Sequence, residues 1–354
     1  MRGYRLNQMR RWLTLLVLPL MGYSASSYTA EKVTDHGIEV IRLTDAVHGI
    51  SVSIAPPVGN RAFDLKVHGK NLLYFPQPDI AAFRDKGARQ LNGIPFLAPW
   101  ANRMAEGGFW ANGKKYRFNP DLGTLRLDPN DIAIHGMLTA SPLWQVVDLG
   151  ANGHSAHVTS RLQFWKYPDL MANWPFAQEY EMTYTVANGV LEVTTTVKNL
   201  SAKQMPVVLG FHPYFVLGDA PRSQASVHIP ARKHVETDTH LVATGELRPA
   251  NLPDWVSLKD HTFDDGYTDL VRERDGRAIF SVEAGSKKIE VLYGPRYQVA
   301  VVFAPPNQPY ICFEPMAAIT NGANLAHEGK YRELETVAPG ETWQESFWVR
   351  PSGF

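Results

Sequence analysis

Two short runs of this chain set an ionisable side chain where an apolar strand would otherwise continue. In Gly210-Phe211-His212-Pro213-Tyr214-Phe215 an imidazole stands among apolar neighbours. In Tyr310-Ile311-Cys312-Phe313-Glu314-Pro315 a carboxylate closes an apolar run. Burying such groups is costly unless a partner compensates. Each precedes a proline, which keeps the residue before it extended. A histidine titrates near neutrality, and a semi-buried carboxyl has a raised pKa. Together they have the makings of an acid–base pair. Taken singly, a core histidine bonded to a backbone carbonyl and a strand-end glutamate pointing to water explain the same residues.

Two further segments carry polar groups in unusual settings. In Ile132-Ala133-Ile134-His135-Gly136-Met137 the glycine would let the chain turn and bring His135 to a sheet surface. The run Gly93-Ile94-Pro95-Phe96-Leu97-Ala98-Pro99-Trp100-Ala101-Asn102-Arg103-Met104 leads into an Asn-Arg pair. The guanidinium of Arg103 offers a rigid fork of donors suited to vicinal hydroxyls; packing on Trp100 is the alternative. Met104 reads as core. Cys312 is the one cysteine and lies in an apolar run, which argues against a nucleophile and rules out an internal disulfide. His154 and His157 lie in a polar segment with no evident third metal ligand.

The elements that must position these residues are strands. Runs at 38–43, 50–55, 155–165, 288–293, 298–304 and 342–349 are β-rich. The clearest hairpin spans 179–197, where Tyr180, Met182, Tyr184 and Val186 alternate with polar residues before Asn188-Gly189, a dipeptide that tolerates the positive φ of a tight turn. Residues 80–86 are the one weak helix candidate. The 25 Pro and 27 Gly are scattered as turn punctuation, and no repeat or low-complexity tract is present. The chain reads as one all-β domain of large packed antiparallel sheets.

Hydrophobic residues make up 44% of the 354, enough for a large core. Lys+Arg and Asp+Glu are both 35, and without a basic stripe the chain is not a nucleic-acid binder. Arg2, Arg5, Arg10 and Arg11 precede an apolar run of about 12 residues, short of the roughly 20 that span a bilayer, and then Ser24, Ala25, Ser26 and Ser27. That is the layout of a cleaved signal peptide. It divides the chain into a leader at 1–27 and a single domain at 28–354, with periplasmic or secreted localisation and no stable membrane anchor after cleavage. No Gly-rich phosphate loop is present.

Taken together, in this order, the Gly-Ile-Pro-Phe-Leu to Asn-Arg run, His135-Gly136, Gly-Phe-His-Pro-Tyr-Phe and Phe313-Glu314-Pro315-Met316 resemble the aldose 1-epimerase (galactose mutarotase-like) superfamily, from about residue 36 to the C-terminus. The resemblance implies a β-supersandwich and cofactor-free interconversion of the α and β anomers of a free hexose. It implies that His212 protonates the ring oxygen and Glu314 takes the proton of the anomeric hydroxyl. His135 and Arg103 match sugar-binding positions. Asp264 in Phe263-Asp264-Asp265-Gly266 matches a hydroxyl-binding aspartate, with Asp265 as the alternative, and Asn102 is a ligand or a support for Arg103. The chain departs from many relatives after His135-Gly136, where Met137 and Leu138 stand in place of an arginine or a second glycine. The partner is a small sugar, and the assembly a monomer or homodimer. A hexose-6-phosphate 1-epimerase and a non-catalytic carbohydrate-binding sandwich are the alternatives; the first would need a cationic cluster for the phosphate. Sugar preference is expected to lie in loops near 84–90 and 168–176, with Trp165, Trp174 and Phe176 serving either as a wall of the site or as core.

Overall fold

The computed structural model describes residues 27–86 and 90–354. The leader expected from sequence falls almost wholly outside them. The expected hairpin forms as strands Gln178–Ala187 and Val190–Asn199. Asn188 (φ 50°) and Gly189 (φ 76°) both take the left-handed conformation, which lets a two-residue turn match the strand twist. Tyr180, Met182, Tyr184 and Val186 are all buried, and each such side chain contributes about 1.5–3 kcal/mol by leaving water.

Among the described residues this hairpin lies within a nine-stranded antiparallel sheet that also takes in strands Ala156–Gln163, Thr342–Ser352, Lys287–Tyr293 and Ala278–Ala284. A second, eight-stranded sheet runs in the order Ala243–Pro249, Ala231–Thr237, Phe263–Leu270, Val299–Ala304, Ile311–Met316, Gly210–Phe211 and Phe96–Leu97, with Tyr214–Phe215 also paired to Ile311–Met316. The two large sheets pack face to face. Phe211 meets Phe347 with ring centroids 4.9 Å apart, and Phe280 meets Phe313 at 5.8 Å.

Because side chains alternate along a strand, sending Phe313 into this inter-sheet core sends Glu314 to the other face of the second sheet. The same alternation divides the neighbouring aspartates. In the ladder Asp265 and Val302 share a row with Phe313, whereas Gly266 and Val301 share a row with Glu314. Asp264, one residue from Asp265, therefore lies on the Glu314 face.

A third sheet of five strands begins with Tyr28–Asp35 and includes Arg61–Val67. Arg61 is fully buried, and a buried cation needs partners. Its guanidinium donates to the carbonyls of Leu91 (3.1 Å), Thr139 (2.6 Å) and Asn92, tying this sheet to the loops that carry the site. Burial lowers its pKa to about 9. The weak helix candidate forms at Ile80–Asp85, capped by the Asp79 side chain. Pro168–Asn173 and Gly322–His327 are further six-residue helices without a sequence expectation. Their length gives too few turns for a periodic signal.

Candidate active site

His212 and Glu314, 102 positions apart in sequence, meet in space. His212 Nε2 lies 3.2 Å from Glu314 Oε1, and both side chains are almost fully buried. His212 follows strand Gly210–Phe211 and donates its backbone N–H to Pro95 O at 3.1 Å. Its ring stacks on Tyr214 with centroids 4.6 Å apart and meets the edge of Phe303 at 5.8 Å. The Tyr214 hydroxyl reaches to 3.5 Å from Nε2. Glu314 is held mid-strand between Gly210–Phe211 and Val299–Ala304.

Burial shapes the protonation of this pair. It pushes the Glu314 carboxyl well above its usual range, and the negative charge of Asp264 adds to the effect. It pushes His212 down to about 3, with the Arg126 cation acting in the same direction. Both shifts favour the uncharged forms, so the resting pair is a neutral imidazole beside a carboxylic acid. The proton they share distinguishes this form from the imidazolium–carboxylate form.

His135 joins them, its ring 5.5 Å from that of His212 and edge-on to it. It has a left-handed backbone (φ 61°), and its N–H donates to Asn102 O at 2.9 Å. Gly136 follows, also left-handed, packed so closely that a Cβ would stand 2.1 Å from Ala98 O. Burial, followed by the charge of His212, keeps His135 neutral. Within the site His135 Nδ1, His212 Nδ1 and Glu314 Oε2 are among the buried polar atoms with no hydrogen-bond partner in the described residues. Such atoms are rare in folded proteins and suit the hydroxyl groups of a ligand.

Asn102, Arg103 and Asp264 line a small hollow together with Val235, Gly266 and Val301. Val301 is the ladder partner of Glu314, which sets the hollow on the same face of the sheet as the Glu314 side chain, although neither His212 nor Glu314 lines it. Asp264 is exposed at its rim. The hollow's walls raise its pKa, Arg103 opposes that effect, and Asp265 reinforces it. Asp265 instead bonds to His234 at 2.9 Å on the other face. Asn102 supports Arg103, its side-chain oxygen accepting the Arg103 backbone N–H at 2.8 Å and approaching Nη1 at 3.4 Å.

All six residues expected from the sequence thus gather on one side of the second sheet. Four neighbours escaped sequence reasoning. Asp128 anchors Arg103 (2.7 Å). Tyr214 stacks under His212. Asn321 receives the Ala105 N–H on its side chain and donates its own backbone N–H to Arg103 O at 3.0 Å. Arg126 lies close enough to His135 and His212 to depress both pKa values. The expected alternative of Arg103 on Trp100 does not occur; Trp100 is buried and stacks with Phe118 and Trp174. Trp174 and Phe176 pack with Phe109 in the core, and Trp165 is exposed. His157 bonds to Asp148 at 2.8 Å along its own sheet.

Solved structures share this architecture. A galactose mutarotase-like protein from Clostridium acetobutylicum superposes with a TM-score of 0.82 at 22% identity, covering 93% of this chain and 99% of that one. A galactose 1-epimerase from Lactobacillus acidophilus NCFM gives 0.71 at 14%, covering 93% of this chain and 100% of the other. The fold is that of the galactose mutarotase-like proteins. The sequence pattern of the aldose 1-epimerase family matches residues 39–350, and the chain belongs to that family. Among curated proteins, the uncharacterized protein YihR of Escherichia coli K12 is 26% identical over 146 residues, 41% of this chain. That match spans 42% of YihR's length.

Proposed function

We propose that this protein is an aldose 1-epimerase that interconverts the anomers of a free hexose by proton exchange between His212 and Glu314. The observation that carries the reading is their 3.2 Å approach in a buried setting, on the face of the sheet that also carries Asp264 and the hollow lined by Arg103. Ring opening needs a proton removed from the C1 hydroxyl and a proton delivered to the ring oxygen. In the imidazolium–carboxylate form Glu314 accepts the first and His212 donates the second. The C1–ring oxygen bond breaks as the C1 carbonyl forms, and the pair is left as neutral imidazole and carboxylic acid. Because burial favours that uncharged form, the resting pair must first pass the Glu314 proton to His212 across their 3.2 Å contact before it can open a ring. Rotation about the C1–C2 bond presents the other carbonyl face, and reclosure returns both protons. Arg103, His135 and Asp264 hold the remaining hydroxyls so that C1 stays over the pair. The leader-like N-terminal sequence supports export as part of the same proposal.

The test is polarimetry of fresh α-glucose or α-galactose with Glu314→Gln and His212→Asn. Each substitution is expected to lower kcat at least about 10²-fold; full activity in both refutes the assignment.

One observation favours a second reading, a hexose-6-phosphate epimerase. The sequence around His135-Gly136 lacks the expected arginine, yet Arg126 and Lys86 line a hollow of about 700 Å³ beside Gly136 and Met137. A higher kcat/KM on glucose 6-phosphate than on glucose would select that reading.

A further inference from the structure

His234, on strand Ala231–Thr237, presents both ring nitrogens to carboxylates. Nε2 is 2.9 Å from Asp265 Oδ1, and Nδ1 is 3.0 Å from Glu236 Oε1. A neutral imidazole carries a single N–H, so two carboxylate acceptors at this range call for the imidazolium. Arg248, its ladder partner on strand Ala243–Pro249, reaches Glu236 Oε2 at 3.3 Å. Tyr267, its partner on strand Phe263–Leu270, sets its ring edge-on at 5.6 Å. Asp265, Glu236, Arg248 and Tyr267 are thus the titratable and charged groups facing His234. The other oxygen of Asp265 accepts the backbone N–H of Asp264 at 3.3 Å. A connected series runs from the imidazolium through the Asp265 carboxylate to the backbone of Asp264, whose side chain borders the hollow on the opposite face.

We propose that His234 is a positioning residue for sugar binding, its imidazolium acting through Asp265 to fix the backbone at Asp264 and keep that carboxylate aimed at a substrate hydroxyl. The inference rests on the epimerase reading. Burial opposes the charge on His234, but the hydrogen bonds to Asp265 and Glu236 outweigh it and hold its pKa above the usual 6.5. The clasp is therefore closed below that raised pKa and opens as the pH rises through it. Sugar affinity falls when it opens, while proton exchange at His212 and Glu314 continues.

The experiment is KM and kcat for α-glucose mutarotation between about pH 6 and 9 for wild type, His234→Gln and Asp265→Asn. Wild type is expected to show KM rising with pH at steady kcat. Both variants are expected to show KM raised on the order of 10-fold, kcat within about twofold, and a flattened pH profile. A wild-type KM in His234→Gln with an unchanged profile overturns the inference. If that variant does not fold, a wild-type KM in Asp265→Asn, or a wild-type KM that stays flat with pH, overturns it. A wild type that does not accelerate mutarotation refutes the epimerase reading and the inference with it, an outcome distinct from an active enzyme with indifferent variants.

Discussion

Arg103 and Asp128 form a 2.7 Å ion pair at the edge of the hollow, with the Asp128 carboxylate only 3% exposed. Burial opposes the charge on Asp128, but Arg103 and the backbone N–H groups of Ile132 and Asn130 hold its pKa below the usual range. Arg103 is thus aimed from behind by a carboxylate that has no need to touch substrate. Asp128→Ala is expected to raise KM about 10-fold or more and leave kcat within a few-fold, because orientation of the guanidinium is lost while the reacting pair is intact. Stability should fall by about 1–3 kcal/mol, as the half-buried cation loses its partner. Steady-state kinetics and denaturant titration measure the two effects.

The opposite faces taken by Asp264 and Asp265 predict unequal effects from the same chemical change. Asp264→Asn removes a carboxylate at the rim of the hollow and should weaken sugar binding the more, by roughly 1–3 kcal/mol. It should also lower the pKa of Glu314, which Asp264 helps to raise, and so shift the pH–rate profile toward acid. Asp265→Asn should change KM less and leave that limb in place. Equal shifts in the two profiles would contradict the alternation.

Gly136→Ala tests how His135 is placed. The backbone there is left-handed (φ 63°), and an added Cβ would meet the Ala98 carbonyl oxygen at 2.1 Å. That carbonyl accepts the N–H groups of Met137 and Leu138 and has little room to yield. Strain of this kind costs about 1–3 kcal/mol before the clash is counted. The expected outcome is a lower Tm together with a KM defect, because the turn that carries His135 must shift.

His212 sets an acid limit on stability. Its folded pKa is lowered to about 3 from an ordinary 6.5. Between those values the unfolded chain binds a proton that the native site refuses, so this contribution is complete above 6.5 and is lost as the pH falls toward 3. Glu314 has the opposite sign. Its raised pKa gives a contribution that is complete below its ordinary 4.5 and is lost as the pH rises through the folded value. On acidification from about pH 7 to 4 the denaturant midpoint should therefore fall less, or even rise, in His212→Asn relative to wild type. An undiminished fall would mean that the imidazole is not buried neutral.

How much was legible in the sequence depended on whether the signal was local. The Tyr180-to-Val186 alternation ending at Asn188-Gly189 carries its own register, and the hairpin expected at 179–197 differs from the observed one by one residue at its start and two at its end. His212 and Glu314 each interrupt an apolar run before a proline, but only the ordered set of four motifs separates them from an ordinary core histidine and a strand-end glutamate. Asp128, Arg126 and Asn321 gave no such sign. Asp128 sits in a polar turn, Arg126 between two leucines and Asn321 in a run of small residues before a short helix, and only the folded chain brings them to Arg103 or His135. The face taken by Asp264 was likewise open until the ladder to Phe313 set the parity of its strand.

Glu314 is embedded mid-strand in a large antiparallel sheet, whereas Arg126 and His135 lie in loop segments and Arg103 in a two-residue strand between loops. The two halves of the task therefore sit on parts of the molecule with different freedom to vary. Turns can be lengthened, shortened or rewritten to recognise another set of hydroxyls, and the proton relay underneath keeps its spacing. A family built this way can diversify its diet of sugars while its chemistry stays put.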